Sequence, residues 1–130
     1  MDLLKWDQNI SLNNDFIDNQ HKELFKIVNK LVANCNVNYD YKIIQNIIYE
    51  LFEYTNNHFK EEERLLEERN YPHLEIHITE HAGFIKKLND INVKLNKSKD
   101  KKTAKELLVF VKNWLLEHTS KYDLDYKNYI

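Results

Sequence analysis

Apolar residues recur along this chain at steps of three and four, which is the spacing of one helix face rather than of a strand. The cleanest run is Leu74, His77, His81, Phe84, Leu88, Ile91 and Leu95, where two histidines stand at positions the pattern reserves for apolar side chains. It predicts a helix over residues 72–95, entered at Tyr71-Pro72, because proline suits a first helical turn and disfavours helix in the residue before it. The same periodicity predicts a helix over 17–36 on Leu24, Val28, Leu31 and Cys35, with His21 in phase. Another is predicted over 41–69 on Ile44, Ile48, Leu51, Thr55, His58, Glu62 and Leu65. A fourth, over 102–120, is carried by Ala104, Leu107, Leu108, Val111, Trp114, Leu115, His118 and Tyr122.

An irregular arm, residues 1–16, precedes the first helix, with Asp18 as the candidate to accept from that helix's free amides. Residues 34–40 and the lysine-rich stretch 96–102 read as connections. Four helices with short links imply an all-α, antiparallel, up-down-up-down four-helix bundle. At 130 residues, with no internal repeat or linker, the chain reads as a single domain over 1–130.

Composition sharpens this. One glycine and one proline stand where average usage gives roughly nine and six, so little interrupts long helices. A net charge of −2 and interleaved lysines argue against nucleic acid as a partner. No stretch approaches a membrane span or a signal peptide, so the expected location is the cytoplasm, with no membrane partner. The single cysteine, Cys35, lies on an apolar stripe and reads as a buried, inert thiol.

The candidate chemistry lies in His21, His58, His77, His81 and His118, five of the six histidines, together with Glu62 and Asp123. One histidine on an apolar stripe is ordinarily a satisfied core residue. Five of them with two carboxylates in one small core would lack partners, at a cost of several kcal/mol per buried carboxylate. A metal supplies what is missing. Residues four apart project within about 40° of each other, so His58 with Glu62, and His77 with His81, can each converge on one centre. Asp123 follows His118 by five, roughly 140° away on an ideal helix. The fourth helix must therefore loosen, bulge or end near Thr119, and a π-type turn would do this.

Seven such donors are too many for one tetrahedral zinc and too poor in carboxylates for calcium or magnesium. Two adjacent ions fit, with iron ahead of manganese and zinc for imidazole and carboxylate ligands without thiolate. If both carboxylates bridge, the imidazoles divide three and two, and one ion keeps a position open to a small uncharged molecule such as dioxygen. Glu61 and Glu63 point about 100° to either side of Glu62 and read as a solvated face. His73, four before His77, reads as exposed or supporting rather than ligating.

These residues carry a resemblance. Ile17-Asp18-Asn19-Gln20-His21-Lys22, His58-Phe59-Lys60-Glu61-Glu62, Tyr71-Pro72 followed by His77-Ile78-Thr79-Glu80-His81, and Trp114-Leu115-Leu116-Glu117-His118 with Asp123 and Tyr126 together resemble the hemerythrins, most closely the single-domain bacterial ones. The family is itself a standard example of the antiparallel bundle. The resemblance implies a diiron centre of two Fe ions, His77, His81 and His118 holding one and His21 and His58 the other, bridged by Glu62, Asp123 and an oxo or hydroxo group. It implies reversible binding of O2 for storage, delivery or scavenging, in a monomer, with carriage rather than enzymatic turnover. Leu115, Trp114 and Thr119 become the candidate O2 pocket. Thr119 departs from the family's usual bulky aliphatic residue, and Leu12-Asn13-Asn14-Asp15 replaces a usual glycine-containing run. Two other roles remain open: an oxygen or iron sensor acting through a partner, and a diiron redox protein, with weak peroxidase-like activity, protecting iron–sulfur enzymes.

Overall fold

Capping side chains mark where three of the four long helices begin, and in a computed structural model describing residues 2–130 they can be named one by one. Asn14 Oδ1 accepts from the Ile17 N–H at 3.1 Å and starts α1, Asp15–Asn36. Asp40 accepts from Lys42 and Ile43 N–H and starts α2, Tyr41–Glu68. Helix α3, Leu74–Ser98, opens after His73 without a side-chain cap, and Asp100 accepts from the Thr103 N–H at 2.8 Å to start α4, Lys101–Glu117. A π turn, His118–Tyr122, a short α5, Asp123–Asp125, and a 3-10 turn, Lys127–Tyr129, follow.

Three of these boundaries differ from the sequence expectation for physical reasons. Asn14 caps α1, so Asp18 lies inside the helix, where its carboxylate reaches back to accept from Ser11 Oγ at 2.6 Å and Leu12 N–H at 2.9 Å and fastens the arm. Residues 96–98 continue α3, because polarity alone does not end a helix. The connection shrinks to Lys99, left-handed at φ 53°, and Asp100. Pro72 stands in the turn ahead of α3 rather than in its first turn.

Left-handed residues elsewhere are Asn13, Asn38 and Asn70, so asparagine does the work glycine usually does at helix ends. Among the described residues the α-helices account for most of the chain and no strand occurs.

α1 packs on α2 and α4, and α3 on α2 and α4, which closes four helices into an antiparallel bundle. Val28, Leu31, Cys35, Ile44, Ile48, Leu88, Leu95 and Leu107 fill its interior toward the α3–α4 turn. Leu12, Ile17, Leu66, Tyr71 and Tyr126 form a second, smaller cluster at the opposite end. In α2 the fully buried residue at the end of the stripe is Leu66, with Leu65 only half-buried against that cluster. The polar side chains of the stripes lie between the two clusters.

Candidate metal centre

Each helix delivers its polar residues inward by the same periodicity that delivers its leucines. His21 comes from the second turn of α1; His58 and Glu62 from the C-terminal half of α2; His77 and His81 from the first three turns of α3. Antiparallel packing brings all three sites to one end. In the fourth helix the Asp123 N–H bonds to the His118 carbonyl, a five-residue step that widens the turn and carries Asp123 back to the face of His118. None of the seven residues is more than 3% exposed.

The two carboxylates span the group. Glu62 Oε1 faces His77 Nε2 at 3.4 Å and His81 Nε2 at 3.1 Å, while its Oε2 faces His58 Nε2 at 3.2 Å and His21 Nε2 at 3.6 Å. Asp123 Oδ1 lies 2.7 Å from His77 Nε2 and 3.0 Å from His118 Nε2, and its Oδ2 lies 3.2 Å from His21 Nε2. Each carboxylate therefore turns one oxygen to the His77, His81 and His118 set and the other toward the His21 and His58 side. Donor atoms of Glu62, His77, His81, His118 and Asp123 all lie within 4.8 Å of one another, and so do those of His21, His58 and Glu62.

Whether this set fits a metal can be tested on its own atoms. His21 Nε2, Glu62 Oε1 and Asp123 Oδ2 are buried without a hydrogen-bond partner, and they point into the group. His81 Nε2 stands 3.2 Å from His118 Nε2, two imidazole nitrogens face to face. Unpaired buried polar atoms cost roughly 1–3 kcal/mol each, and electron-rich atoms aimed at a common space are what a cation satisfies. The set fits two adjacent transition-metal ions of the imidazole-preferring kind.

Burial opposes charge on His21, but the facing Asp123 and Glu62 carboxylates outweigh it and raise its pKa to about 10. At His58 burial prevails and lowers it. Burial would raise Glu62, yet the imidazoles of His58, His21 and His81 hold it well below the usual carboxylate range, and His118 and His21 do the same for Asp123.

Around the donors lies a ring of supporting contacts. His81 Nδ1 meets Glu63 Oε2 at 2.7 Å, and His58 Nδ1 meets Gln20 Oε1 at 2.6 Å, with Gln20 Nε2 donating to Glu61. Tyr126 OH donates to Glu62 Oε2 at 2.9 Å within the core. Phe59 stacks on His81 at 3.9 Å, and Trp114 on His118 at 4.3 Å. The reading of the charge run as mostly a solvated face is thus corrected for Glu61 and Glu63: both are half-buried and bond on the outer side of the group. Polarity in sequence gives no sign of such pairing across helices; the one available hint is that each flanks an inward residue.

The remaining candidates fall as follows. His73 is exposed at the start of α3, beside a surface cleft of about 280 Å³ that Tyr71, His77, Tyr122 and Asp125 also line. Leu115 is buried in the main core. Trp114, by its stacking, flanks the three-histidine side, and Thr119 spends its hydroxyl proton on the Leu115 carbonyl at 2.8 Å.

Comparison with known proteins points one way. Residues 12–130 match the family described as Hemerythrin HHE cation binding domain. A bacteriohemerythrin of Clostridium acetobutylicum is 40% identical over 124 residues, covering 93% of this chain and 96% of that one. One of Campylobacter jejuni is 35% identical over 114 residues, covering 88% and 85%. A solved hemerythrin in which one leucine is replaced by tyrosine superposes with a TM-score of 0.84 at 27% identity, covering 98% of this chain and 97% of that one.

Proposed function

The chain belongs to the hemerythrin family, and from that premise we propose that it binds dioxygen reversibly at a non-haem diiron centre, for storage, delivery or scavenging. His77, His81 and His118 would hold one iron, His21 and His58 the other, with Glu62 and Asp123 bridging. The observation that carries this reading is the split of each carboxylate, one oxygen toward each histidine set, with three inward atoms left unpaired.

Bound there, an iron pair supplies the two electrons that dioxygen accepts on binding. The chain's own residues do the rest. Five imidazoles bring no charge to the centre against two carboxylates, which favours giving electrons and taking them back over reaching higher oxidation states. Phe59, Trp114 and the Leu12–Tyr126 cluster keep bulk water out, and Tyr126 holds Glu62 by its Oε2. We read the protein as a carrier rather than an enzyme, acting as a monomer in the cytoplasm; among the described residues no helix is long and apolar enough to cross a membrane.

Metal analysis with optical spectra tests it. Two irons per chain, with a colour that appears on air exposure after anaerobic reduction and fades under argon, is the expected result. Two irons that oxidise without reversal would move the reading to sensing or redox protection, and the absence of stoichiometric metal would end it.

A further inference from the structure

The two histidine sets are supported from behind by different chemistry. On the three-histidine side, His81 Nδ1 is 2.7 Å from Glu63 Oε2. A carboxylate only accepts, so His81 donates from Nδ1 and presents a bare Nε2 inward. On the two-histidine side, His58 Nδ1 is 2.6 Å from Gln20 Oε1. The amide's orientation is fixed independently, because its Nε2 must donate to Glu61. His58 is thereby held in the same tautomer by a neutral carbonyl, with the negative charge one residue further off. His21 and His118 have no partner on Nδ1 at all.

We infer that Glu63 is a positioning residue that makes the two metal positions unequal: its carboxylate strengthens His81 as a donor, so the three-histidine ion is held more tightly and the reduction potential of the centre is lowered. The inference rests on the diiron reading above. Its physical basis is that a negative acceptor on an imidazole N–H draws the proton outward and raises electron density on the other nitrogen, which favours the more highly charged metal. Glu63 suits the part because its side chain, 27% exposed, is bonded to His81 from outside the group and touches none of the inward atoms. Phe59, stacked on the His81 ring at an interplanar angle of 2°, keeps the ring in the plane where that bond is made.

The test is Glu63→Gln, which keeps shape and an acceptor oxygen and removes the charge, compared with wild type for chelator-driven iron release and for the midpoint potential. One of the two irons should leave on the order of 10-fold faster, and the potential should rise. In zinc-loaded protein, which is diamagnetic, the His81 Nδ1 proton resonance should move while that of His58 stays. Glu63→Asp, which keeps the charge on a shorter arm, should recover the potential in part. Unchanged release, potential and His81 resonance in Glu63→Gln would overturn the inference. A wild-type protein without two metals would instead overturn the diiron reading, so the two failures are distinct.

Discussion

Toward the α3–α4 turn, Leu31, Cys35, Ile44, Ile48, Leu95 and Leu107 meet between the helices; toward the other end, at equivalent inward positions of the same helices, stand His21, His58, Glu62, His77, His81 and His118. The apolar half is complete as it stands, since burial is all those side chains need. The polar half is equally buried and leaves inward atoms unpaired. One half is completed by packing alone, and the other leaves a set of donors that suits a cation. Every experiment below either widens that contrast or collapses it.

The largest effect should come from removing metal. An ion present at a thousandfold its Kd contributes about 4 kcal/mol to the folded state, so chelation should lower Tm by on the order of 10 °C while leaving most helical signal intact. Glu62→Ala should lose metal and show no further drop with chelator, because the residue shared between both donor groups is gone. Calorimetry with metal analysis checks both. A Glu62→Ala protein that kept two metals and an unchanged spectrum would remove Glu62 from the bridge.

Truncation in the apolar half should cost nearly as much and behave differently. Leu107 is fully buried, and Leu107→Ala should destabilise by about 2–5 kcal/mol through lost contacts and a cavity. It lies eleven residues before His118, roughly 16 Å along the helix axis, far enough for independence. Denaturant midpoints should therefore fall equally in loaded and metal-free protein, with metal content unchanged.

A smaller difference should appear with pH. His21, raised to about 10 by Asp123 and Glu62, gives the metal-free fold stability that is fully present below its unfolded value near 6.5 and lost as pH climbs toward 10. Glu62 and Asp123, held low, contribute in the opposite sense: present above the ordinary carboxylate range, lost as pH falls. In loaded protein His21 is neutral, so its contribution is flat between 6.5 and 10. The Tm gap between loaded and metal-free forms should widen across that range, and loading at pH 8 should release protons measurable by calorimetry in buffers of different ionisation enthalpy. A gap independent of pH would contradict the charge placed on His21.

How far the sequence reaches follows the same contrast. Wherever a helix is regular, spacing is enough: His58 with Glu62, and His77 with His81, face one way because residues four apart do. Asp123 marks the limit. Its five-residue step from His118 signals that the helix must change, and the remedy, a π turn with the Asp123 N–H on the His118 carbonyl, is a backbone choice that side-chain periodicity cannot specify. Asp18 resembles a cap by type and serves instead as the anchor of the arm, since Asn14 had already taken the amides. The outer contacts of Gln20, Glu61 and Glu63 depend on how α1, α2 and α3 sit against each other, and a polar residue reads the same whether it meets water or a histidine.

The smallest expected effect lies at the apolar end. Asp100 caps α4 through the Thr103 N–H within a two-residue connection whose other member, Lys99, is left-handed. Asp100→Ala frees one amide and should cost about 1 kcal/mol, a few degrees of Tm. Because the loss falls on backbone at the far end from His118, it should be the same with and without metal and leave iron release unchanged. Faster iron release would mean that fraying at one end loosens donors at the other, and the two halves would then have to be treated as one cooperative unit.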